Sequence, residues 1–311
     1  MIELSRSEFI PVGVVGCGAF GRWHAAKYAS ASGALLKGVN DQASGPAQKV
    51  AAQHGVQVFT RLEDLAAQVE AVSIAAPASH HHELASFFLT RGVHVLVEKP
   101  IALSLADADD LIEIAQRKGL VLQVGHQERY VFTDMGLMSR GISPKSIDVC
   151  RTGPFTGRGM DVNVVLDLMI HDLDLLHQVV HARIDAIEAV GHAVHGNLGD
   201  EAQAILHFED GCVAKLLASR ARENRRREMK LVYDDGVVEI DFIRRWMKNS
   251  TSSELKSAFR GGAQSQSCVN DPLGYSIGVF LESIRSGAPT LVTGQDARHA
   301  LETALMITKR M

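Results

Sequence analysis

At 311 residues the chain is long for a single hydrophobic core, so two domains are expected, and 46% hydrophobic with 22% charged residues is an ordinary globular composition. A net charge of -4 gives no general attraction to nucleic acid, no run reaches the roughly 18 uninterrupted apolar residues of a membrane span, and the start Met-Ile-Glu-Leu-Ser-Arg-Ser-Glu lacks the basic and then apolar order of a signal peptide. Cys17, Cys150, Cys212 and Cys268 lie far apart without a Cys-x-x-Cys pair, which argues against a zinc knuckle or a disulfide framework and fits a soluble protein of the reducing cytoplasm.

Between residues 8 and 127 short β-branched runs alternate with alanine-rich amphipathic segments, the pattern of a parallel sheet with crossover helices. Strands are expected at 10–15, 35–39, 57–59, 71–75, 94–97 and 121–124. Helices are expected at 21–28, 45–54, 62–68, 80–90 and 104–118, several followed closely by glycine, the usual helix stop. This half reads as doubly wound.

The first strand runs into Gly16-Cys17-Gly18-Ala19-Phe20-Gly21 and a helix follows, the context in which G-x-G-x-x-G forms a dinucleotide-binding loop. Gly16 suits the tight turn, Gly18 lets backbone N–H groups approach a pyrophosphate at the helix N-terminus, and Gly21 allows close packing of helix on strand. The second strand ends at Asp41, 20 residues beyond Gly21, where a carboxylate accepts both ribose hydroxyls and repels a 2′-phosphate. With Gln42 and Ala43 next, and no Arg or Lys to pair with that phosphate, NAD is favoured over NADP. Cys17 reads as a space-filling residue rather than a redox sensor.

After the fourth strand, Ala76-Pro77-Ala78-Ser79 leads into His80-His81-His82. Adjacent helical residues point about 100° apart, so three consecutive histidines do not readily ligate one ion, and a helix start beside the cofactor is the better reading. No metal is expected. The fifth strand runs straight into Glu98-Lys99-Pro100 at the carboxyl edge of the sheet, where open α/β folds bind their ligands. An ammonium there can stabilise a developing alkoxide or take part in proton transfer; a surface lysine before a turn is the alternative.

From about residue 145 the texture changes. Residues 164–176, Val-Val-Leu-Asp-Leu-Met-Ile-His-Asp-Leu-Asp-Leu-Leu, read as an apolar helix with one ionisable stripe. At about 100° per residue, Asp167, His171, Asp174 and Gln178 fall within roughly 60° of one another. Charges are rarely buried unless paired or used, so the seam points to a cleft, and Asp167 with His171 at i and i+4 is a proton-transfer pair; a structural pair at a domain interface is the alternative. Runs at 186–194, 202–208, 213–218, 229–233 and 237–242, separated by turns such as Glu209-Asp210-Gly211 and Asp234-Asp235-Gly236, read as an antiparallel meander. Arg220, Arg222, Arg225, Arg226 and Arg227 read as a solvated strand or hairpin edge. The stretch 250–271, rich in Ser, Gly, Gln and Asn, reads as a mobile connector, and helices at 273–286 and 295–308 close the chain. The fold class expected is α/β, with a doubly wound domain over 1–127 and an α+β domain with a largely antiparallel open sheet over 128–311, whose last helices have the alternative of packing back on the first domain.

In their order and spacing, Gly16 to Gly21 with His24, Ala76-Pro77 with His81, Glu98-Lys99-Pro100, Val124-Gly125-His126 through Tyr130, and Asp167 with His171 resemble the glucose-fructose oxidoreductase / inositol dehydrogenase (Gfo/Idh/MocA) family over nearly the whole chain. The resemblance implies an N-terminal Rossmann domain, a C-terminal α+β domain whose open sheet often mediates dimers or tetramers, and nicotinamide-dependent oxidation of a sugar or cyclitol. The family's catalytic Lys-Asp-His set falls on Lys99, Asp167 and His171, with His171 or Lys99 taking the hydroxyl proton. Cofactor contacts fall on Gly16, Gly18, Ala19, Phe20, Gly21, Asp41, Ala76, Pro77, His81, Glu98, Lys99 and Gln127.

The strings 124–130 and 161–174 look like the branch of UDP-N-acetylglucosamine 3-dehydrogenases, which oxidise the sugar 3-hydroxyl before a transaminase installs an amine on the way to diamino-sugar lipid A. Residues 219–222, 238–241, 271–273 and 293–296 agree with that branch, whereas Val131-Phe132-Thr133 departs from its usual Asn-Pro. On this reading Arg129, Arg151 and Arg158 are placed to meet a diphosphate and Asp174 to support the sugar, with surface salt bridges as the alternative for each arginine. A dehydrogenase of a free cyclitol or hexose is a second reading. A non-catalytic NAD-sensing binding protein is a third, weighed against by the presence of both Lys99 and His171. Neither nucleic acid nor membrane is an expected partner.

Overall fold

The computed structural model describes residues 9–157 (residue 139 by its backbone only), 159–196, 198–255 and 270–311. The described residues fall into two compact units, one within Met1–Gly125 and Leu273–Gln295, the other within His126–Pro272 and Asp296–Met311.

In the first unit β1 (Ile10–Val15), β2 (Ala34–Asn40), β3 (Gln57–Val58), β4 (Ala71–Ile74), β5 (His94–Val97) and β6 (Leu122–Val124) form one sheet in the order β3-β2-β1-β4-β5-β6. Every pairing is parallel. Parallel neighbours need crossovers, supplied by α1 (Ala19–Ser30), α2 (Ser44–His54), α3 (Leu62–Ala66), α4 (His81–Thr90) and α5 (Leu105–Lys118). A sheet covered on both faces needs apolar strands rather than alternating ones, and Val12, Val14, Ala71, Val72 and Ile74 are all fully buried. The helix Pro272–Ser286, from the far end of the sequence, inserts Ile277, Phe280 and Leu281 into the same core as Val12, Val14 and Tyr28. The strand order reverses between β1 and β4, and the carboxyl ends of strands at such a switch point are where doubly wound sheets bind ligands.

The second unit contains β7 (Ser146–Thr152), β8 (Ile184–His192), β9 (Glu201–Phe208), β10 (Val213–Ser219), β11 (Arg226–Tyr233), β12 (Gly236–Asp241) and β13 (Trp246–Asn249), ordered β13-β12-β11-β7-β10-β9-β8. The sheet is mixed but largely antiparallel, because β7 pairs parallel with β10 and antiparallel with β11. Ala202, Ala204, Leu206 and Phe208 of β9 and Ala214, Leu216 and Ala218 of β10 point to the buried face. On the opposite face Asp148, Lys215, Glu228, Lys230 and Trp246 border a concavity of about 780 Å³. The helices are α6 (Glu128–Asp134), a π-helical turn Val165–Met169 that continues into α7 (Ile170–Leu176), the α8 helix Pro272–Ser286 already placed in the first core, and α9 (Gly294–Thr308).

The meander expected from sequence lacks its central strand: β7 enters the middle of the sheet and makes one pairing parallel. Its inward residues are Ile147, Val149 and Arg151, so a charged side chain occupies the third buried slot and interrupts the apolar alternation that marks a strand. Most of the connector expected at 250–271 lies outside the described residues. Among the described residues no helix is long and apolar enough to cross a membrane.

Candidate active site

At the first edge of the first unit, β1 stops at Val15 and α1 starts at Ala19, leaving a three-residue turn. Gly16 has φ +87°, and a Cβ on it would stand 2.6 Å from the Ala75 carbonyl oxygen. Gly21 lies so close to the Gly16 carbonyl that a Cβ there would overlap it. Both positions therefore require glycine, the first for conformation and the second for packing. Among the described residues a Cβ on Gly18 would meet nothing within 4 Å, and no side chain caps the first turn of α1, where Ala19 and Phe20 sit. Open space before an uncapped helix N-terminus fits a pyrophosphate held by backbone N–H groups. Asp41 accepts the backbone N–H of Cys17 at 2.6 Å and of Ala43 at 2.7 Å, so its carboxylate is fixed beside the loop with lone pairs to spare for ribose hydroxyls. Burial, followed by the Asp41 charge, pushes the Cys17 thiol up to about 12, which keeps it protonated and unreactive.

At the second edge, β4 leads to Ala76-Pro77 and β5 to Glu98-Lys99-Pro100, where Lys99 is half-buried. The buried His81 ring joins these two turns: Nδ1 lies 2.7 Å from the Pro100 carbonyl oxygen and Nε2 lies 3.0 Å from that of Ala76. Burial holds its pKa below the ordinary imidazole value, so its part here is to brace the loops. Behind Lys99, Glu98 meets His24 Nε2 at 2.9 Å, His24 Nδ1 meets the Ser73 hydroxyl at 3.0 Å, and the Tyr28 hydroxyl meets Ser73 at 2.9 Å. Burial raises the Glu98 carboxyl, but the hydrogen bond and charge of His24, with the Lys99 ammonium, bring it below the ordinary carboxylate range. Of the histidine run, His82 pairs with Asp110 at 2.8 Å at the surface. Among the described residues no group of three His, Cys, Asp or Glu is placed to hold a metal ion.

In the second unit Asp167 sits on the π-helical turn. The Asn163 side-chain carbonyl accepts the N–H groups of Val165 and Leu166 at 3.1 Å each, fixing where the turn starts. A widened turn of this kind is rare and recurs at functional sites. His171, half-buried in the first turn of α7, meets the His126 ring edge to face with centroids 5.8 Å apart.

Two arginine clamps hold α7. Arg129 of α6 grips Asp174 through Nε at 2.9 Å and Nη2 at 2.5 Å, and its Nη1 lies 3.6 Å from Asp296. Arg151 of β7 donates to Asp172 through Nε and Nη2, both at 2.7 Å, and with its other edge grips Glu128. Burial works against the Arg151 cation, yet Asp172 and Glu128 raise its pKa well above the ordinary guanidinium value. Arg129, Arg151 and Asp174 are all 3% exposed or less, with their polar atoms facing one another or Asp172, Glu128 and Asp296. Two arginines expected to meet a diphosphate are thus engaged inside the protein, and Asp174 serves Arg129. Arg158 lies outside the described residues, and Gln127 is half-buried at the start of α6.

Arg222, Arg225, Arg226 and Arg227 of the basic run are exposed, as expected of a solvated edge, and Arg220 departs from it. Arg220 is only 5% exposed; its Nε donates to the fully buried Asp200 at 2.8 Å and its Nη1 lies 3.5 Å from Asp167. Arg222 pairs with Glu201, Arg226 with Glu228 and Arg227 with Glu128. Sequence reasoning missed Glu128, Asp172, Asp200 and Arg220. One signal was present for the last pair: counting outward from the turn Glu209-Asp210-Gly211 sets Ser219 against Glu201 and so Arg220 against Asp200.

Comparison with known proteins agrees with these two halves. The model of the oxidoreductase family with NAD-binding Rossmann fold matches residues 10–126, and that of the GFO/IDH/MocA C-terminal domain matches residues 151–239. The UDP-N-acetylglucosamine 3-dehydrogenase of Acidithiobacillus ferrooxidans is 35% identical over 307 residues, 95% of each chain. A solved structure of that enzyme, GnnA, aligns with a TM-score of 0.87 at 32% identity, covering 97% of this chain and 98% of its own. The scyllo-inositol 2-dehydrogenase (NAD(+)) of Bacillus subtilis is 25% identical over 325 residues, 95% of this chain and 92% of its own. With its glycine loop, its Glu98-Lys99-Pro100 turn and both family domains in place, the chain belongs to the GFO/IDH/MocA family of oxidoreductases.

Proposed function

We propose that the protein is an NAD-dependent dehydrogenase that oxidises the 3-hydroxyl of UDP-N-acetylglucosamine, giving a 3-keto sugar ready for amination toward diamino-sugar lipid A. The observation that carries this reading is the 35% identity to a UDP-N-acetylglucosamine 3-dehydrogenase across 95% of both chains. The turn at Gly16 to Gly21 would hold the pyrophosphate, and Asp41 the adenosine ribose. A fixed carboxylate at that point disfavours the extra phosphate of NADP. When bound, NAD supplies the hydride acceptor.

Hydride loss from a carbon bearing a hydroxyl gives the ketone only as the hydroxyl proton leaves, so a base must lie within hydrogen-bond reach of that proton. His171 takes the proton, and the Lys99 ammonium stabilises the oxygen while its negative charge is greatest. Asp167 orients the His171 ring or binds a neighbouring hydroxyl. The clamps at Arg129 and Arg151 hold α7 so that His171 has one position, and the anionic Glu98 with His24 fixes the strand end from which Lys99 projects. The open face of the second sheet, bordered by Lys215, Glu228 and Trp246, is where copies of the chain associate; light scattering showing only monomers would overturn that assignment.

The test is reduction of NAD in the presence of a panel of UDP-sugars, myo-inositol and glucose, with a transaminase and an amine donor added to draw off an unfavourable keto product. Signal with UDP-N-acetylglucosamine is expected. Signal with free polyols alone would replace the nucleotide sugar by a cyclitol or hexose. Lys99→Met and His171→Ala should each abolish turnover and keep NAD binding, and turnover surviving in either variant removes that residue from its role.

A further inference from the structure

We propose that Arg220 is the positioning residue for Asp167, aimed by the buried carboxylate of Asp200. The inference rests on the catalytic reading of Asp167 given above. Arg220 follows β10 directly, and its guanidinium meets three acceptors at once: Asp200 Oδ1 at 2.8 Å, the Gly159 carbonyl oxygen at 2.5 Å, and Asp167 Oδ2 at 3.5 Å. A planar fork is needed to span three directions, which a lysine ammonium on a flexible stem does not reproduce.

The aim of that fork is itself fixed. Asp200 is fully buried, and its second oxygen accepts the backbone N–H groups of Val194 at 2.8 Å and His195 at 2.7 Å. Burial alone would raise this carboxyl, but those N–H groups and Arg220 hold it at about 2, so it is an anion throughout the working range. Asp167 is confined from the other side as well. Gly159 has φ +64°, and a Cβ on it would stand 2.6 Å from Asp167 Oδ2 and 3.0 Å from Oδ1, so bare backbone lies against the carboxylate.

The distances show how one guanidinium can orient Asp167 while being held by Asp200. One arginine faces two carboxylates, and the closer contact, 2.8 Å against 3.5 Å, goes to Asp200. Asp200 therefore takes the closer hold on the guanidinium, while the longer Asp167 contact leaves that carboxylate with oxygens to offer an imidazole or a sugar hydroxyl. An arginine needed only to satisfy Asp200 would have no reason to share its Nη1 between Gly159 and Asp167.

A double-mutant cycle on the full chain tests this, using Arg220→Lys, Asp167→Asn and the two together. With the sugar that the wild-type enzyme oxidises, Arg220→Lys should lower kcat about tenfold or more in the wild-type background but no more than about twofold beside Asp167→Asn, because a residue acting through Asp167 has nothing left to act on. The dissociation constant for NAD should stay within about twofold throughout, since the glycine loop belongs to the other unit. Asp200→Asn, which spoils the aim without removing the guanidinium, should give the same pattern. Equal losses in both backgrounds, or no loss, would overturn the proposal. Urea unfolding of the same proteins without substrate reads the Arg220 to Asp167 coupling independently: non-additive losses support it and additive ones overturn it. If no sugar is turned over, the proposed function fails while this second arm still decides the contact.

Discussion

Replacing Arg151 with methionine removes the cation that the buried Asp172 and the partly buried Glu128 share. Asp172 and Glu128 have side chains 3% and 17% exposed, and Arg151 donates to all four of their oxygens. Breaking a buried ion pair from one side leaves uncompensated charge and costs about 3–5 kcal/mol, far above the effect of a surface pair. Part of that cost is relieved by protonation. Burial already pushes the Asp172 carboxyl above its ordinary value against the pull of Arg151, and losing Arg151 pushes it further. A carboxyl whose folded pKa exceeds its unfolded one destabilises the fold above the unfolded pKa, and the penalty disappears as pH falls toward that value.

The deficit of Arg151→Met should therefore be largest near about pH 8 and clearly smaller near about pH 5. Urea unfolding in a Trp23→Phe background follows the second unit alone through Trp246, and both tryptophans are about half exposed. Adding Glu128→Gln and Asp172→Asn should recover most of the stability, because the stranded charges are then gone. A loss below about 1 kcal/mol, a deficit indifferent to pH, or no recovery in the triple variant would each refute the clamp as the support of α7.

Gly21→Ala places a methyl on the Gly16 carbonyl, so NAD affinity measured by fluorescence should drop about tenfold or more, with unfolding of the second unit unchanged. Asp200 at about 2, with Glu98 and Glu128 below their ordinary values, contributes stability that is complete above the unfolded carboxylate pKa and lost as pH falls through the folded one. Thermal melting should thus decline from about pH 4 downward, and less steeply in Asp200→Asn. Iodoacetamide at neutral pH should leave Cys17 and Cys212 unmodified in the folded protein and alkylate both after unfolding, since burial pushes each thiol up to about 12.

The first unit was legible because its chemistry is local. A strand, three glycines at fixed spacing and a following helix are one short piece of chain, and Asp41 lies one strand away; the structure puts all of them at one sheet edge. The second unit was legible only in part, because its site is made by pairing across long separations. Arg151 meets Asp172 and Glu128 from residues more than 20 apart, and no periodicity in β7 announces an arginine facing inward. The polar seam was read at an α-helical period that this segment does not keep throughout. Asp167 lies on a π-helical turn, and Asp172, which that reading left off the stripe, is as buried as Asp174. Arg220 was misread because it opens a run of otherwise exposed arginines, and only the strand register sets it against the buried Asp200.

The origin of the hydride offers the most direct test. UDP-N-acetylglucosamine carrying deuterium on the sugar 3-carbon should yield NADH containing that deuterium with the wild-type protein, and none with Lys99→Met or His171→Ala although both still bind NAD. Deuterium absent from the NADH of the wild-type protein, or transferred undiminished by either variant, would contradict the assignment of this site to oxidation of the sugar 3-hydroxyl.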